Sequence, residues 1–129
     1  MTALDDAPAS TTRDAPASTT WVGICRLDDL IVGRGVAALV GDRQVALFRL
    51  SADPSAPELR AVDNIDPYGR AAVMSRGLVG DRGGIPTVAS PLLKQVFSLD
   101  TGVCLDDESV ALATFDVRVV DSLVEVRGC

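Results

Sequence analysis

Three cysteines, two acidic clusters and one glycine-rich run are the residues of this chain whose types could do chemistry. Their spacing argues against most of it. Cys25, Cys104 and Cys129 lie far apart with no C-x-x-C pair. They offer neither the paired thiolates of a metal site nor the dense, even set of a disulfide scaffold, and read as two buried thiols and one at the C-terminus. Asp28-Asp29 and Asp106-Asp107-Glu108 lack the spaced oxygen ligands and central glycine of a calcium loop, and read as turn carboxylates. Gly80-Asp81-Arg82-Gly83-Gly84 lacks the spacing of a nucleotide-phosphate loop, and no helix opens behind it. Histidine is absent altogether. That removes Ser-His-Asp and Cys-His pairs, imidazole ligands, and the one side chain whose ordinary pKa lies near neutrality. The expectation is a chain with no catalytic residue and no metal site of its own.

Composition narrows the partners. A net charge of −6 with Lys94 as the only lysine speaks against nucleic acid, whose phosphates are neutralised by Lys and Arg. Aromatics make up only 4%, too few for base-stacking platforms. No apolar run approaches the roughly 18–20 residues of a membrane-spanning helix. Met1 to Thr20 has neither the basic start nor the apolar stretch of a signal peptide, so the expected compartment is the cytoplasm.

Residues of this kind need a scaffold, and the patterning indicates strands. Residues 1–20 hold a direct repeat, Asp6-Ala7-Pro8-Ala9-Ser10-Thr11-Thr12 recurring eight residues on as Asp14-Ala15-Pro16-Ala17-Ser18-Thr19-Thr20. Such a Pro/Ala/Ser/Thr tract has nothing large to bury, and is expected to be a disordered tail ahead of one domain at 21–129. Trp21 to Cys25 is a first strand, and Leu27 to Leu30 a turn. Gly35–Val40 and Gln44–Leu50 form a hairpin across Gly41-Asp42-Arg43, and Glu58–Asp63 follows a Pro/Ser/Asp loop. Thr87–Ser90, Gln95–Leu99 and Phe115–Val120 alternate with period two, and Asp121-Ser122 turns the last of these into Leu123–Val126. No segment sustains a helical period, so the fold class is all-β, a β-sandwich or small barrel of short antiparallel strands. Ile65 to Pro86 reads as a long Gly/Asp/Arg loop, the kind of segment that carries function on a β scaffold.

Two segments, Asp63-Asn64-Ile65-Asp66-Pro67-Tyr68 and Ala89-Ser90-Pro91-Leu92-Leu93-Lys94-Gln95-Val96-Phe97-Ser98-Leu99-Asp100-Thr101-Gly102, resemble the two cluster-binding loops of Rieske-type [2Fe–2S] domains. The match is best at Phe97 to Gly102, the strand and turn behind the second loop. The ligand positions themselves are emptied: the first Cys-x-His pair falls on Asp66 and Tyr68, and the second Cys-x-x-His pair on Ser90 and Leu93. A Rieske cluster needs two thiolates on one iron and two imidazoles on the other. The resemblance is therefore to the fold and not to the electron-transfer chemistry.

A Rieske-like frame with emptied ligands resembles the small subunits of assimilatory NAD(P)H-dependent nitrite reductase. Blocks at Trp21–Leu30, Gly35–Val40, Gln44–Leu50, Val62–Pro67, Ser75-Arg76-Gly77, Val79–Gly84, Ala89–Leu92, Lys94–Phe97 and Thr101–Asp107 carry that similarity from Trp21 to the last strand. It implies a non-catalytic subunit without its own cofactor, supporting assembly or activity of a large subunit. That partner would carry FAD, an iron–sulfur cluster and sirohaem, and reduce nitrite to ammonia. By the same resemblance the old cluster loops are the candidate partner surface, through Asp63, Asn64, Asp66, Pro67, Arg82, Ser90 and Lys94. The alternative is a cluster-less binding module serving a different oxidoreductase or regulatory partner.

Overall fold

The computed structural model describes residues 20–127; the repeat tract up to Thr19 and Cys129 lie outside them. Within them the chain forms eleven strands in two antiparallel sheets. The strands are β1 (Trp21–Arg26), β2 (Gly35–Val40), β3 (Arg43–Arg49), β4 (Leu59–Asp63), β5 (Leu78–Arg82), β6 (Ile85–Ala89), β7 (Val96–Ser98), β8 (Val103–Cys104), β9 (Asp107–Ala111), β10 (Thr114–Val120) and β11 (Leu123–Arg127). One sheet runs β1-β11-β10-β4-β3-β2 and the other β5-β6-β7-β8-β9.

The wall between two cores is built from β3 and β4. A strand sends alternate side chains to opposite faces, so an unbroken apolar run is stable only where both faces are covered. Val45 and Leu47 pack with Leu27, Leu30, Ala61, Phe115, Val124 and Val126 on one side. Ala46 and Phe48 pack on the other with Val62, Met74, Val88, Phe97, Leu99 and Cys104, which joins the two sheets. The buried Arg49 closes β3: its guanidinium donates to the carbonyls of Leu27, Leu30, Ser51 and Ala52, tying the β1–β2 connection to the loop before β4.

Residues 65–86 are not one loop. They contain a 3₁₀ turn at Met74–Arg76, all of β5 and the start of β6. Gly83 and Gly84, at φ 62 and 90, turn the β5–β6 hairpin, and the Asp81 carboxyl accepts the Gly84 N–H. The glycine-rich run is thus hairpin chemistry. Its strand went unread because β5 is an exposed edge with Gly80 and Asp81 inside it, composition that otherwise marks loops. The pair β8–β9 escapes the sequence pattern for a related reason: β8 is only two residues long, and Leu105-Asp106 turns it into β9.

Gly102 shows how tightly the second sheet closes on itself. It sits at φ 81, and a Cβ there would lie 2.1 Å from the Leu112 carbonyl oxygen, whereas Gly41, at φ 65, faces open space. Gly41→Ala is therefore expected to cost about 1 kcal/mol, the left-handed penalty alone. Gly102→Ala adds a backbone collision and is expected to cost at least about 3 kcal/mol; paired urea titrations of the two variants check the difference.

Candidate functional site

The two loops leave the ends of strands that belong to different sheets. The first follows β4, which ends at Asp63, and the second follows β6, which ends at Ala89. Each opens with a polar residue and a proline, Asp66-Pro67 and Ser90-Pro91. From there they follow one hydrogen-bond plan. The Asp66 N–H donates to the Ala71 carbonyl (2.9 Å) and the Ser90 N–H to the Gln95 carbonyl (2.9 Å). Four residues on, the Arg70 N–H returns to the Asp66 carbonyl (2.7 Å) and the Lys94 N–H to the Ser90 carbonyl (3.1 Å). The opening side chain then caps its own loop. Asp66 Oδ1 accepts the N–H of Tyr68 (2.8 Å) and of Gly69 (3.3 Å), and Ser90 Oγ accepts the N–H of Leu92 (3.3 Å).

The loops are locked together at these same two residues. Ser90 Oγ donates to Asp66 Oδ2, and both side chains are buried. Leu92 then lies over Gly69, where a Cβ would come within 2.6 Å of its Cδ1. Behind them, Asn64 anchors the first loop: its Oδ1 accepts the Ser75 N–H (2.7 Å) and its carbonyl the Met74 N–H (3.0 Å). Asp63 makes the Asx turn to the Ile65 N–H (3.0 Å) and reaches Arg43 at 3.4 Å.

The four positions that match Rieske ligands therefore do different things. Asp66 and Ser90 bond to each other. Leu93 carries no donor atom and is 57% exposed. The half-buried Tyr68 donates its hydroxyl to Cys104 Sγ at 3.7 Å, with its ring centroid 6.3 Å from that of Phe97. A [2Fe–2S] cluster of Rieske type does not fit this set: a closed hydroxyl–carboxyl contact occupies the thiolate positions, and the chain has no imidazole to supply. No group of three or more metal-ligating side chains occurs among the described residues.

Of the residues named as a partner surface, Asn64, Asp66 and Ser90 are buried, Asp63 and Pro67 half-buried, and Arg82 and Lys94 exposed. The buried three shape the loops and present nothing outward. Arg82 is on the β5–β6 hairpin, 3.7 Å from Asp106. Arg70 and Leu92, which are not among the residues named as a partner surface, belong with Lys94 at the loop ends. The signal was available, since Asp66 to Arg70 and Ser90 to Lys94 share a proline at the second position and a cation at the fifth. A separate cleft of about 340 Å³ lies between Gly33-Arg34-Gly35 and Ser75 to Leu78, and holds no nucleophile–base pair. Cys25 is half-buried, and burial pushes its thiol pKa up, away from reactivity.

Tyr68 is the one titrating group in the loops with a large shift. The Cys104 sulfur holds its proton, burial adds to this, and the nearby Asp107 and Asp106 charges oppose ionisation, so its pKa is pushed up to about 12. The folded chain then keeps a proton that the unfolded chain loses near pH 10, and stability declines as pH rises between those values. Tyr68 is the only tyrosine, so tyrosinate absorbance reads it alone. The expected midpoint is near 12 in the folded protein, lower in Cys104→Ala, and about 10 in urea; a folded-state midpoint at 10 refutes the contact.

Residues 20–127 match the Rieske-like [2Fe–2S] domain family. The chain is 44% identical over 108 residues to the nitrite reductase (NADH) small subunit of Salmonella typhimurium, covering 84% of this chain and 97% of that protein. The NMR structure of the Escherichia coli protein NirD superimposes with a TM-score of 0.77 at 42% identity, covering 84% of this chain and 96% of that one. The nitrite reductase [NAD(P)H] large subunit of Klebsiella oxytoca is 40% identical over 109 residues, 84% of this chain but 11% of that longer polypeptide. By sequence and fold together, the chain belongs to the family of nitrite reductase small subunits, a branch of the Rieske-like domains.

Proposed function

We propose that this chain is the non-catalytic small subunit of a cytoplasmic, assimilatory NAD(P)H-dependent nitrite reductase, supporting the assembly or activity of the large subunit. The observation that carries the reading is the Ser90–Asp66 contact. It closes the two loops on each other where a Rieske protein would close them on iron, so the frame is retained as a binding surface and not as an electron carrier. The chain holds no cofactor in this reading; FAD, an iron–sulfur cluster and sirohaem belong to the large subunit, which reduces nitrite to ammonia. The Klebsiella match supports the partnership, because there the same domain is a small part of a large-subunit polypeptide. A domain covalently joined to its partner in one protein is a candidate to bind that partner as a separate chain in another.

The direct test is affinity purification of the tagged chain from nitrate-grown cells, followed by mass spectrometry and absorbance spectra of what co-purifies. Recovery of a large reductase with flavin and sirohaem bands is the expected outcome. A large subunit from the same cells that never co-purifies refutes the assignment. The isolated chain is expected to be colourless and free of iron after purification under nitrogen; stoichiometric iron and sulfide would refute the cofactor-free reading. Ser90→Ala leaves a buried Asp66 oxygen without its donor, at a cost of about 1–3 kcal/mol. For a domain of this size that is a fall in Tm of roughly 4–15 °C, measurable by circular dichroism, with no dependence on added iron.

A further inference from the structure

Six residues at the ends of the two loops are exposed: Gly69, Arg70, Pro91, Leu92, Leu93 and Lys94. They include two cations and no carboxyl, on a chain whose net charge is −6. The acidic member of this region, Asp66, is buried beneath them. Leu92 and Leu93 add apolar surface, 46% and 57% exposed.

Arg70 and Lys94 occupy the same place in the repeated loop plan. Each is the fifth residue of its loop, each turns its N–H back to the first residue's carbonyl, and each lies in the left-handed region, at φ 61 and 64. Glycine is the natural residue at such a turn, so a long cation there sits on strained backbone. Neither side chain has a carboxylate or hydrogen-bond partner among the described residues, a condition shared with Arg34 and Arg76 at the cleft, whereas Arg43, Arg60, Arg82, Arg118 and Arg127 all reach a carboxylate. What sets Arg70 and Lys94 apart is their place beside the exposed Leu92 and Leu93. Two unpaired cations flanking a leucine pair form a small apolar centre with a basic rim.

We propose that this loop end is a docking surface for an apolar patch edged with Asp and Glu on the reductase large subunit, with Arg70 and Lys94 as its paired charge contacts. The proposal rests on the small-subunit reading and adds the surface and the partner's chemistry to it. The Ser90–Asp66 lock holds the two loops, and hence the two cations, in register before binding, which lowers the ordering cost of association.

The glycine replacement separates charge from fold. Arg70→Gly with Lys94→Gly suits the left-handed backbone of both turns and is expected to fold with unchanged or higher Tm. Binding of each variant to the large subunit, purified from cells lacking this chain, is measured by calorimetry at low and moderate salt. The double glycine variant is expected to bind at least tenfold more weakly at low salt, with a shallower salt dependence than the parent chain. Arg34→Gln with Arg76→Gln, which removes equal charge at the cleft outside the exposed loop ends, is expected to stay within twofold. Parent and glycine variants binding alike, or both double variants weakening alike, overturns this surface and leaves the subunit reading standing. No complex between the parent chain and the large subunit overturns both.

Discussion

The Ser90 hydroxyl on the Asp66 carboxyl is the contact on which the loop end depends. A buried carboxyl is costly unless its oxygens are taken up by donors. Asp66 meets that condition with three: the N–H groups of Tyr68 and Gly69 on Oδ1 and the Ser90 hydroxyl on Oδ2. Two of these come from its own loop and one from the other, so the loops can close only together. Each part relies on the rest. Gly69 must lack a side chain for Leu92 to settle on it, and Leu92 is placed by the turn that Ser90 caps.

The lock forms because the scaffold brings two strands from different sheets to one end. Phe48 and Val62 from the first sheet and Val88 and Phe97 from the second share one buried cluster, which fixes the spacing between β4 and β6 and hence between the loops that follow them. Met74 fills the same cluster from the connection between the loops, and Asn64 bonds its N–H and that of Ser75. Loop geometry is thus a consequence of core packing, which tolerates little change in volume. Exposed ion pairs such as Arg82–Asp106 contribute little by comparison.

Most strands were legible because their apolar residues follow the strand period or fill a two-faced wall, as at Val45 to Phe48. Turn chemistry was legible where residue type settles it, as at Gly41 and Asp121-Ser122. The β5–β6 and β8–β9 hairpins were not, since glycine and aspartate at an exposed edge look like loop. At the site, the ligand count could be read directly: without histidine, Asp66, Tyr68, Ser90 and Leu93 cannot stand in for the Rieske set. What these residues do instead could not be read. Burial of Asp66 and Ser90 is a property of two loops 24 residues apart meeting, and neither segment predicts it alone. The left-handed backbone at Arg70 and Lys94 was hidden for a further reason, because long cations rarely occupy a position that usually takes glycine.

A hydroxyl–carboxyl lock also differs from an iron cluster in what it can contribute. A cluster changes charge with each electron, and the loops around it feel that change. Neither Ser90 nor Asp66 takes up an electron at the potentials where a nicotinamide cofactor and nitrite react. The loop end, with its leucines and its two left-handed cations, therefore has no group of its own at this contact that changes charge with an electron. Such a surface supplies binding free energy that is the same at every step. In differential terms it steadies the assembly without favouring one redox intermediate over another. That constancy suits a non-catalytic small subunit, and it follows from the contact between Ser90 and Asp66.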